Sequence, residues 1–219
     1  MRMDVEGIER STIDSLVKLD GKNILEVGCG TGRETGFLTR TGNSVLAIDP
    51  DAGRIAEAKV CLPGVDFRCL DFLKLDWKRL FDLVVFTMSL HHIPTRDAKL
   101  SALAKARQAL KNNGEVLVIE PSLDGELTRV ICEFVPEELS GITEAREILL
   151  GPDSRYVAAA LGVEAIWEFD DERELISFFV TLLSKNRSDV TYEAVAEVLS
   201  RLGLAGRTRM NDIIDFYVL

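Results

Sequence analysis

The sequence predicts an open, doubly wound α/β fold built on a mostly parallel, seven-stranded sheet. Short apolar runs alternate with helix-length segments through the first two-thirds of the chain. Those runs are almost continuously apolar, as strands covered on both faces of a parallel sheet require. One of them, residues 24–27, leads directly into a glycine-rich turn followed by a helical segment, an arrangement typical of this fold.

The elements of the first part follow from periodicity and from breakers. Apolar residues at helical spacing predict an opening helix that ends at Asp20-Gly21, and Asp49-Pro50 closes the second strand. Asn112-Asn113-Gly114 predicts a turn before the fifth strand. The predicted segments are helix 3–19, strand 23–27, helix 34–40, strand 44–48, helix 52–60, strands 65–70 and 83–87, helix 96–110 and strand 115–119.

Beyond Pro121 the pattern becomes mainly helical. It predicts helices 126–150 and 154–161, strand 163–169, helices 172–183 and 192–202, and strand 213–219. We expect a single domain over residues 1–219. Residues 1–121 form its ligand-binding half, and residues 122–219 complete the sheet and supply a helical cap over the substrate.

Composition limits the classes of partner. The chain has 219 residues, 26 Lys and Arg against 36 Asp and Glu, a net charge of −10 and a mean hydropathy of +0.10. This acidic balance argues against a nucleic-acid partner, and no apolar run is long enough to span a membrane. The first residues lack an apolar export segment, so we expect a cytoplasmic protein.

The cysteines point neither to disulfides nor to a metal. Four of them, Cys29, Cys61, Cys69 and Cys132, lie far apart with no CxxC pair. Neither a disulfide framework nor a zinc site is predicted, and we expect most of these thiols to be buried. We expect no metal site.

The glycine-rich turn predicts a ligand-binding loop. Three alternate glycines, Gly28, Gly30 and Gly32, place backbone N–H groups where open α/β sheets bind nucleosides. The dinucleotide pattern G-x-G-x-x-G fails in both registers, because its third glycine falls at Arg33 or Thr35. Carboxylates also flank the loop at positions 26 and 34. A cationic ligand without phosphate therefore fits better than a dinucleotide.

Two further acids lie where a bound nucleoside would extend. Asp49 ends the second strand 19 residues after Gly30 (49 − 30), close to the spacing of a ribose-binding acid. Asp71 follows the third strand and can accept a hydrogen bond from an exocyclic amine. An ordinary turn acid before Pro50 and a helix cap at Asp71 are the alternative interpretations.

Residues 26–32 (EVGCGTG) fit the pattern E/D-x-G-x-G-x-G. In this motif the sequence resembles the class I S-adenosylmethionine-dependent methyltransferases of the methyltransferase type 11 group. Four later segments match in order: 47–51, 70–72, 81–94 with its LHHIP sequence, and 110–120, where Asn112-Asn113 replaces Pro-Gly. The resemblance covers about residues 22–121, and the rest of the chain matches only in general layout.

The resemblance implies S-adenosylmethionine as cofactor and assigns its binding residues. The loop would hold the methionine part, Asp49 the ribose, residues 50–51 one adenine face, residues 71–72 the adenine edge, and residues 87–88 the amine through backbone groups. The implied cofactor residues are Glu26, Gly28, Cys29, Gly30, Thr31, Gly32, Asp49, Pro50, Asp71, Phe72, Thr87 and Met88.

Methyl transfer from a sulfonium is an in-line displacement, so positioning and exclusion of water supply most of the catalysis. The only histidines, His91 and His92, follow the fourth strand. Either can act as a base or orient the acceptor, with His92 preferred from its place in the motif; a structural role for the pair is the equal alternative. Residues 87–90 (TMSL) lack the N/D-P-P-F/Y sequence of enzymes that methylate the amino groups of bases or glutamine. Together with the absence of a basic stripe, this favours a small-molecule acceptor.

Three other functions stay open. A nicotinamide-dependent oxidoreductase is disfavoured by the absent third glycine. A methyltransferase for RNA or protein would need salt-sensitive or protein-specific binding. A non-catalytic module that binds the cofactor would keep the same loop. The sequence predicts no oligomeric state.

Overall fold

The computed structural model describes residues 1–40, 42–151, 157–184, 187 and 189–219. Its strands are β1 (Asn23–Val27), β2 (Ser44–Asp49), β3 (Asp66–Cys69), β4 (Phe81–Thr87), β5 (Leu110–Pro121), β6 (Ala159–Glu168) and β7 (Arg209–Val218). They form a seven-stranded sheet in the order β3-β2-β1-β4-β5-β7-β6. This architecture confirms the predicted α/β fold.

The helices are α1 (Ile8–Leu16), α2 (Thr35–Leu38), α3 (Ala52–Cys61), α4 (Arg96–Ala109), α5 (Glu126–Phe134), α6 (Pro136–Leu150), α7 (Glu172–Leu183) and α8 (Tyr192–Arg201). A 3-10 turn, which the sequence pattern did not predict, covers Phe72–Lys74. No helix in the described ranges is both long and apolar enough to cross a lipid bilayer.

The pairing of the strands shows which strand ends lie next to one another. β1 pairs in parallel with β2 on one side and β4 on the other, while β3 joins β2 and β5 joins β4. Val116 and Leu219 exchange backbone hydrogen bonds of 3.2 and 2.9 Å, so β7 runs antiparallel to β5. From β1 the chain adds β2 and β3 on one side, and it then crosses to the other side of β1 to form β4 and β5. Open α/β folds bind ligands where the strand order reverses in this way.

One of the chain's two compact units consists of the described residues within Thr12–Glu120, Glu144–Leu161 and Asp215–Leu219. Its core is apolar and centred on β4 and β5, where Val84, Phe86, Val116 and Val118 are inaccessible to solvent. α4 packs on β4, and α3 packs on β2 and β3. Burying each such side chain stabilises the fold by about 1.5–3 kcal/mol, which fixes the strand ends that carry the loops.

The other unit consists of the described residues within Met1–Ser11, Pro121–Thr143 and Gly162–Ile214. It has its own apolar core, in which α7 packs on α8 and both contact α5. Leu175, Phe179, Val195 and Leu199 are fully buried there. Their helical spacing explains why the sequence pattern located α7 and α8 to within one residue.

The first helix corrects the prediction at its start. It begins at Ile8, not at residue 3, because the Asp4 carboxylate accepts the N–H groups of Ile8 and Glu9 at 2.8 and 3.0 Å. Gly7 has φ +67°, which lies outside the right-handed helical region. A carboxylate that accepts the first backbone donors of a helix is a typical cap.

Several later boundaries also differ. The helix predicted over 126–150 is two helices, because the residue before Pro136 is disfavoured in helical conformation. The helix predicted over 154–161 falls partly on residues 152–156, outside the described ones, and residues 159–161 belong to β6. The turn predicted at 112–114 lies within β5, where Asn113 has φ +64°. β7 begins at Arg209, four residues before the predicted start at Ile213.

Candidate functional site

A cavity of about 480 Å³ lies at the carboxyl ends of β1, β2, β3 and β4. Its volume is that of a small-molecule site. The lining residues come from the segments that follow these strands: residues 27–28, 48–51, 70–73, 88–89 and 92–94, together with Arg54 of α3. Three lining side chains, Asp49, Asp51 and Asp71, are carboxylates, so the chemistry of the cavity suits a ligand with hydroxyl groups and positive charge.

The glycine loop is shaped for close backbone approach. Gly28 has φ +76°, and a Cβ there would lie 2.4 Å from the Cβ of Ser89. Ser89 is fixed in that place because its hydroxyl donates to the carbonyl of Val27 at 2.6 Å. Gly30 has φ +54°, and a Cβ there would come no closer than 3.9 Å, to the Arg54 guanidinium. The sequence therefore needs glycine at position 28 for two independent reasons, backbone conformation and space.

Asp49 links β2 to that loop. One carboxylate oxygen accepts the N–H of Gly30 at 2.9 Å, and the other accepts the N–H of Asp51 at 2.9 Å. A carboxylate accepts up to about four hydrogen bonds, so Asp49 keeps capacity for two more. It is buried yet lines the cavity, a placement that fits the binding of vicinal ribose hydroxyls.

Asp71 and Phe72 line the same cavity as Asp49. The Asp71 carboxylate accepts the N–H of Leu73 at 3.0 Å and caps the 3-10 turn. Asp71 also pairs with Lys74 at 3.1 Å and lines the cavity. The structure thus shows the capping role that was the alternative interpretation of Asp71, and it leaves the residue at the cavity. Phe72 is buried edge-on against Phe86, with ring centroids 5.9 Å apart.

Glu26 lies behind the loop and is fully buried. Its two oxygens accept the hydroxyl protons of Thr35 at 2.5 Å and of Thr87 at 2.8 Å. Burial raises the pKa of Glu26 to about 7, the two hydroxyl donors oppose that rise, and the nearby Glu34 adds to it. Glu26 is not among the lining residues, so its direct partners are the two threonines.

Cys29 has the environment of an unreactive thiol. It is buried, and burial together with Glu26 and Asp49 raises its pKa far above the ordinary thiol value. The expectation that most cysteines are buried is wrong, because Cys61 and Cys69 are exposed and Cys132 is half-buried. The pattern missed this because these three lie at element ends or on outward faces.

The predicted site residues therefore divide into two sets. Those that line the cavity are Gly28, Asp49, Pro50, Asp71, Phe72, Met88 and His92. Those that form the body of the loop or its support, outside the lining, are Glu26, Cys29, Gly30, Thr31, Gly32, Thr87 and His91. Their assignment as cofactor or catalytic residues stays a prediction.

The two histidines have different surroundings. His91 is buried, and its Nδ1 lies 2.7 Å from a carboxylate oxygen of Glu120. His92 is exposed and lines the cavity. The rings are in contact, with centroids 4.0 Å apart. His91 is therefore packed in the interior, whereas His92 lies at the cavity.

Three charged residues at this site were not predicted from the sequence. Arg54 lines the cavity from the first turn of α3. Glu120 and Lys99 are both buried charges beneath the segment after β4. A charged residue closing the apolar strand 115–119 was a usable signal for Glu120, whereas Lys99 on an alanine-rich helix gave none.

The strand order and the glycine loop are those of open α/β folds that bind nucleosides at this edge of the sheet. Residues 24–114 match the methyltransferase domain family. An uncharacterized methyltransferase of Bacillus cytotoxicus is 36% identical over 106 residues, covering 48% of this chain and 50% of its own. A ubiquinone biosynthesis O-methyltransferase of Rhodopseudomonas palustris is 35% identical over 109 residues, covering 48% and 42%.

A solved structure from Bacillus halodurans, provisionally assigned as a methyltransferase, covers 97% of this chain and 99% of its own with a TM-score of 0.62. At 14% identity that likeness shows the fold alone. The matched region, residues 24–114, is similar to methyltransferase domains and makes up less than half of the chain. The chain spans about half the length of the curated relatives it matches.

Proposed function

We propose that the protein transfers a methyl group from S-adenosylmethionine to a small-molecule acceptor. The observation that carries the proposal is the cavity at the strand ends, where the Cβ-free Gly28 and the buried carboxylate of Asp49 lie together. A nucleoside ligand needs close backbone approach on one side and a hydroxyl acceptor on the other, and these two residues supply both.

The residues present fit the cofactor. Asp49 has acceptor capacity left for the ribose hydroxyls, and it lines the cavity together with Pro50, Asp51, Asp71 and Phe72. Pro50 and Asp51 would border one adenine face, and Asp71 with Phe72 would border the adenine edge. The glycine loop from Glu26 through Cys29 and Thr31 to Gly32, with Thr87 and Met88, would hold the methionine part. The cavity's carboxylates favour a cationic ligand, and the fully buried Glu26 supports the loop from below.

When bound, S-adenosylmethionine would supply an electrophilic methyl group on a sulfonium, with S-adenosylhomocysteine as the leaving group. The chain's own residues hold the reactants and exclude water. Phe72, Ile93 and Pro94 give the cavity apolar walls. His92 also lines the cavity, where its imidazole would take the proton of a hydroxyl or amine acceptor.

A small acceptor is favoured over RNA by the distribution of charge. A second cavity, of about 420 Å³, is lined by the cations Lys78, Arg79, Arg107 and Lys111. It lies before β4 and therefore at the other edge of the sheet from the glycine loop, about 20 Å away along that strand. The clustered cations therefore lie away from the cofactor cavity, whose lining includes three carboxylates. The ubiquinone biosynthesis O-methyltransferase among the relatives also supports a small acceptor.

Thermal unfolding with S-adenosylmethionine, with S-adenosylhomocysteine, and with NADH as control tests the cofactor. At 100 times the dissociation constant, a ligand stabilises the native state by about 2.7 kcal/mol, which raises the Tm of a chain this size by roughly 5–10 °C. A rise with NADH alone would reject the proposal. Transfer of labelled methyl to a panel of small hydroxyl and amine compounds then separates an enzyme from a non-catalytic binding module.

The single domain over residues 1–219 and the cytoplasmic location stay predictions. Limited proteolysis tests the first, because two independently folded units would be separated by early cuts between them. Fractionation of the source cells tests the second.

A further inference from the structure

The segment after β4, residues 89–94, rests on a buried carboxylate. Glu120, near the end of β5, is 3% exposed. One of its oxygens accepts the N–H groups of Ser89 and Leu90 at 3.1 and 3.0 Å, and the other accepts the N–H of His91 at 3.1 Å. Three consecutive peptide groups are therefore fixed by one side chain.

The ring of His91 adds a fourth bond. Its Nδ1 lies 2.7 Å from the same oxygen that accepts the His91 backbone N–H. Because that oxygen acts as an acceptor, the ring N–H is the donor. Four bonds use the full acceptor capacity of a carboxylate, so Glu120 has none left for a ligand and acts through the segment that it holds.

A second buried charge holds the far end of the same segment. Lys99 of α4 is 2% exposed, and its ammonium donates to the carbonyl of Ile93 at 2.7 Å and to Glu144 at 2.6 Å. His92 lies between these two anchors and lines the cavity. Buried charged groups that are fully hydrogen-bonded hold their partners rigidly.

The backbone just before the segment is strained. Met88 has φ +48°, an uncommon conformation for a residue with a side chain, and its N–H donates to the carbonyl of Ile119 at 2.8 Å. Such strain persists only where the surroundings enforce it. Here the enforcing groups are Ile119 and Glu120, consecutive residues of β5.

We propose that Glu120 is a positioning residue for the cavity wall: it fixes residues 89–91 and thereby sets the place of His92 and the contact of Ser89 with Gly28. The inference rests on the proposed function, because it takes this cavity as the cofactor site. Nothing in the role requires Glu120 to touch the ligand.

Glu120→Gln tests the proposal with Glu115→Gln as the matched control, since Glu115 is an exposed acid on the same strand. The NH2 group of glutamine cannot accept a hydrogen bond, so the N–H groups that faced the replaced carboxylate oxygen lose their acceptor and part of the network is lost. The readouts are the imidazole ¹⁵N spectrum, which contains two histidines, and the affinity for S-adenosylhomocysteine by calorimetry. Both are independent of any acceptor.

We expect Glu120→Gln to change the Nδ1 signal of His91, to reduce the response of the His92 ring to S-adenosylhomocysteine, and to weaken its binding about tenfold. Glu115→Gln should match the wild type in all three. Unchanged histidine spectra and unchanged affinity in a folded Glu120→Gln would overturn the inference, as would equal effects of the two variants.

Two further outcomes are decisive. If the wild type does not bind S-adenosylhomocysteine, the proposed function fails, and the His92 spectrum of Glu120→Gln against wild type still decides the positioning role. If Glu120→Gln does not fold, Lys99→Met takes its place. Methionine has a side chain of similar length but cannot donate to the carbonyl of Ile93, so the far end of residues 89–94 loses its anchor. Lys99→Met should shift the His92 signals and weaken the binding of S-adenosylhomocysteine about threefold. An unchanged His92 spectrum would overturn the proposal that residues 89–94 are held in place by buried charges.

Discussion

The carboxylate of Asp49 accepts the backbone N–H of Gly30 at 2.9 Å, which joins the end of β2 to the glycine loop that follows β1. The same carboxylate lines the cavity. One side chain therefore holds the glycine loop and also lines the cavity.

Asp49→Asn should separate the contributions of the Asp49 charge to stability and to binding. The amide keeps the shape but removes the charge, and a hydrogen bond to a charged group stabilises by about 1.5–3 kcal/mol. We expect a stability loss of about 1 kcal/mol in urea unfolding and at least a tenfold loss of affinity for S-adenosylhomocysteine. Asp66→Asn, at an exposed acid of β3, is the control. Equal affinities of the two variants would contradict the role of Asp49.

Gly28→Ala should be far more damaging than a typical Gly→Ala change. Both strain at φ +76° and collision with Ser89 at 2.4 Å are introduced. Gly21→Ala is the matched control, because Gly21 has φ +63° with nothing within 4 Å. We expect the control to lose about 1 kcal/mol from strain alone, and Gly28→Ala to lose at least about 2 kcal/mol more.

A double variant isolates the collision. Ser89→Gly removes the Cβ that a residue-28 side chain would meet. Gly28→Ala combined with Ser89→Gly should therefore lose less stability than the sum of the two single changes, by about 1 kcal/mol or more. Strict additivity in urea unfolding would show that the clash is not the cause.

The sequence was sufficient to predict most of the fold because the strands carry their own signal. β1, β2 and β4 are short apolar runs between strong breakers, and helix α7 was located at Glu172–Leu183 from its apolar spacing. Errors occurred where a local interaction overrides periodicity. Because Asp4 caps α1, the helix begins later in the sequence than predicted, and the proline at position 136 divides the predicted long helix into two.

Site residues could be predicted from the sequence only where their function requires a particular residue type at a turn or a strand end. Glycines at positive φ and an acid at a strand end leave a pattern in the sequence, so Gly28 and Asp49 could be found. For Glu120 the sequence offered only the signal of a charge after an apolar strand, and for Lys99 it offered none, because their roles come from hydrogen bonds to residues 29 and 6 positions away in the chain. Such contacts depend on the packing of β5 and α4, which periodicity does not encode.

The cysteines should differ widely in reactivity. Cys61 and Cys69 are exposed, while burial and nearby glutamates raise the pKa of Cys132 to about 11, and the pKa of Cys29 is raised further. Since the thiolate is the nucleophile, iodoacetamide at pH 8 should modify Cys61 and Cys69 roughly 100-fold faster than the other two. Peptide mass spectrometry over time measures the order, and early labelling of Cys29 would contradict its burial beside the loop.

The raised pKa of Glu26 has a definite sign in stability. The group's folded-state pKa is about 7 against an ordinary value of 4.5, so between these values the native state binds more protons than the unfolded state. The free energy of unfolding therefore falls as pH rises through this window, by up to about 3 kcal/mol from this group. Below pH 4.5 both states are protonated and the effect vanishes.

Glu26→Gln should remove that dependence. The amide is neutral at all pH values and can still contact the hydroxyls of Thr35 and Thr87, which rotate to suit it. We expect the variant to gain stability relative to wild type as pH rises from 5 to 8, by up to about 3 kcal/mol in urea unfolding. Glu57→Gln, at an exposed position of α3, should differ from wild type by a constant amount. A pH-independent difference for Glu26→Gln would mean that the buried carboxylate is ionised throughout, held by Thr35 and Thr87 alone.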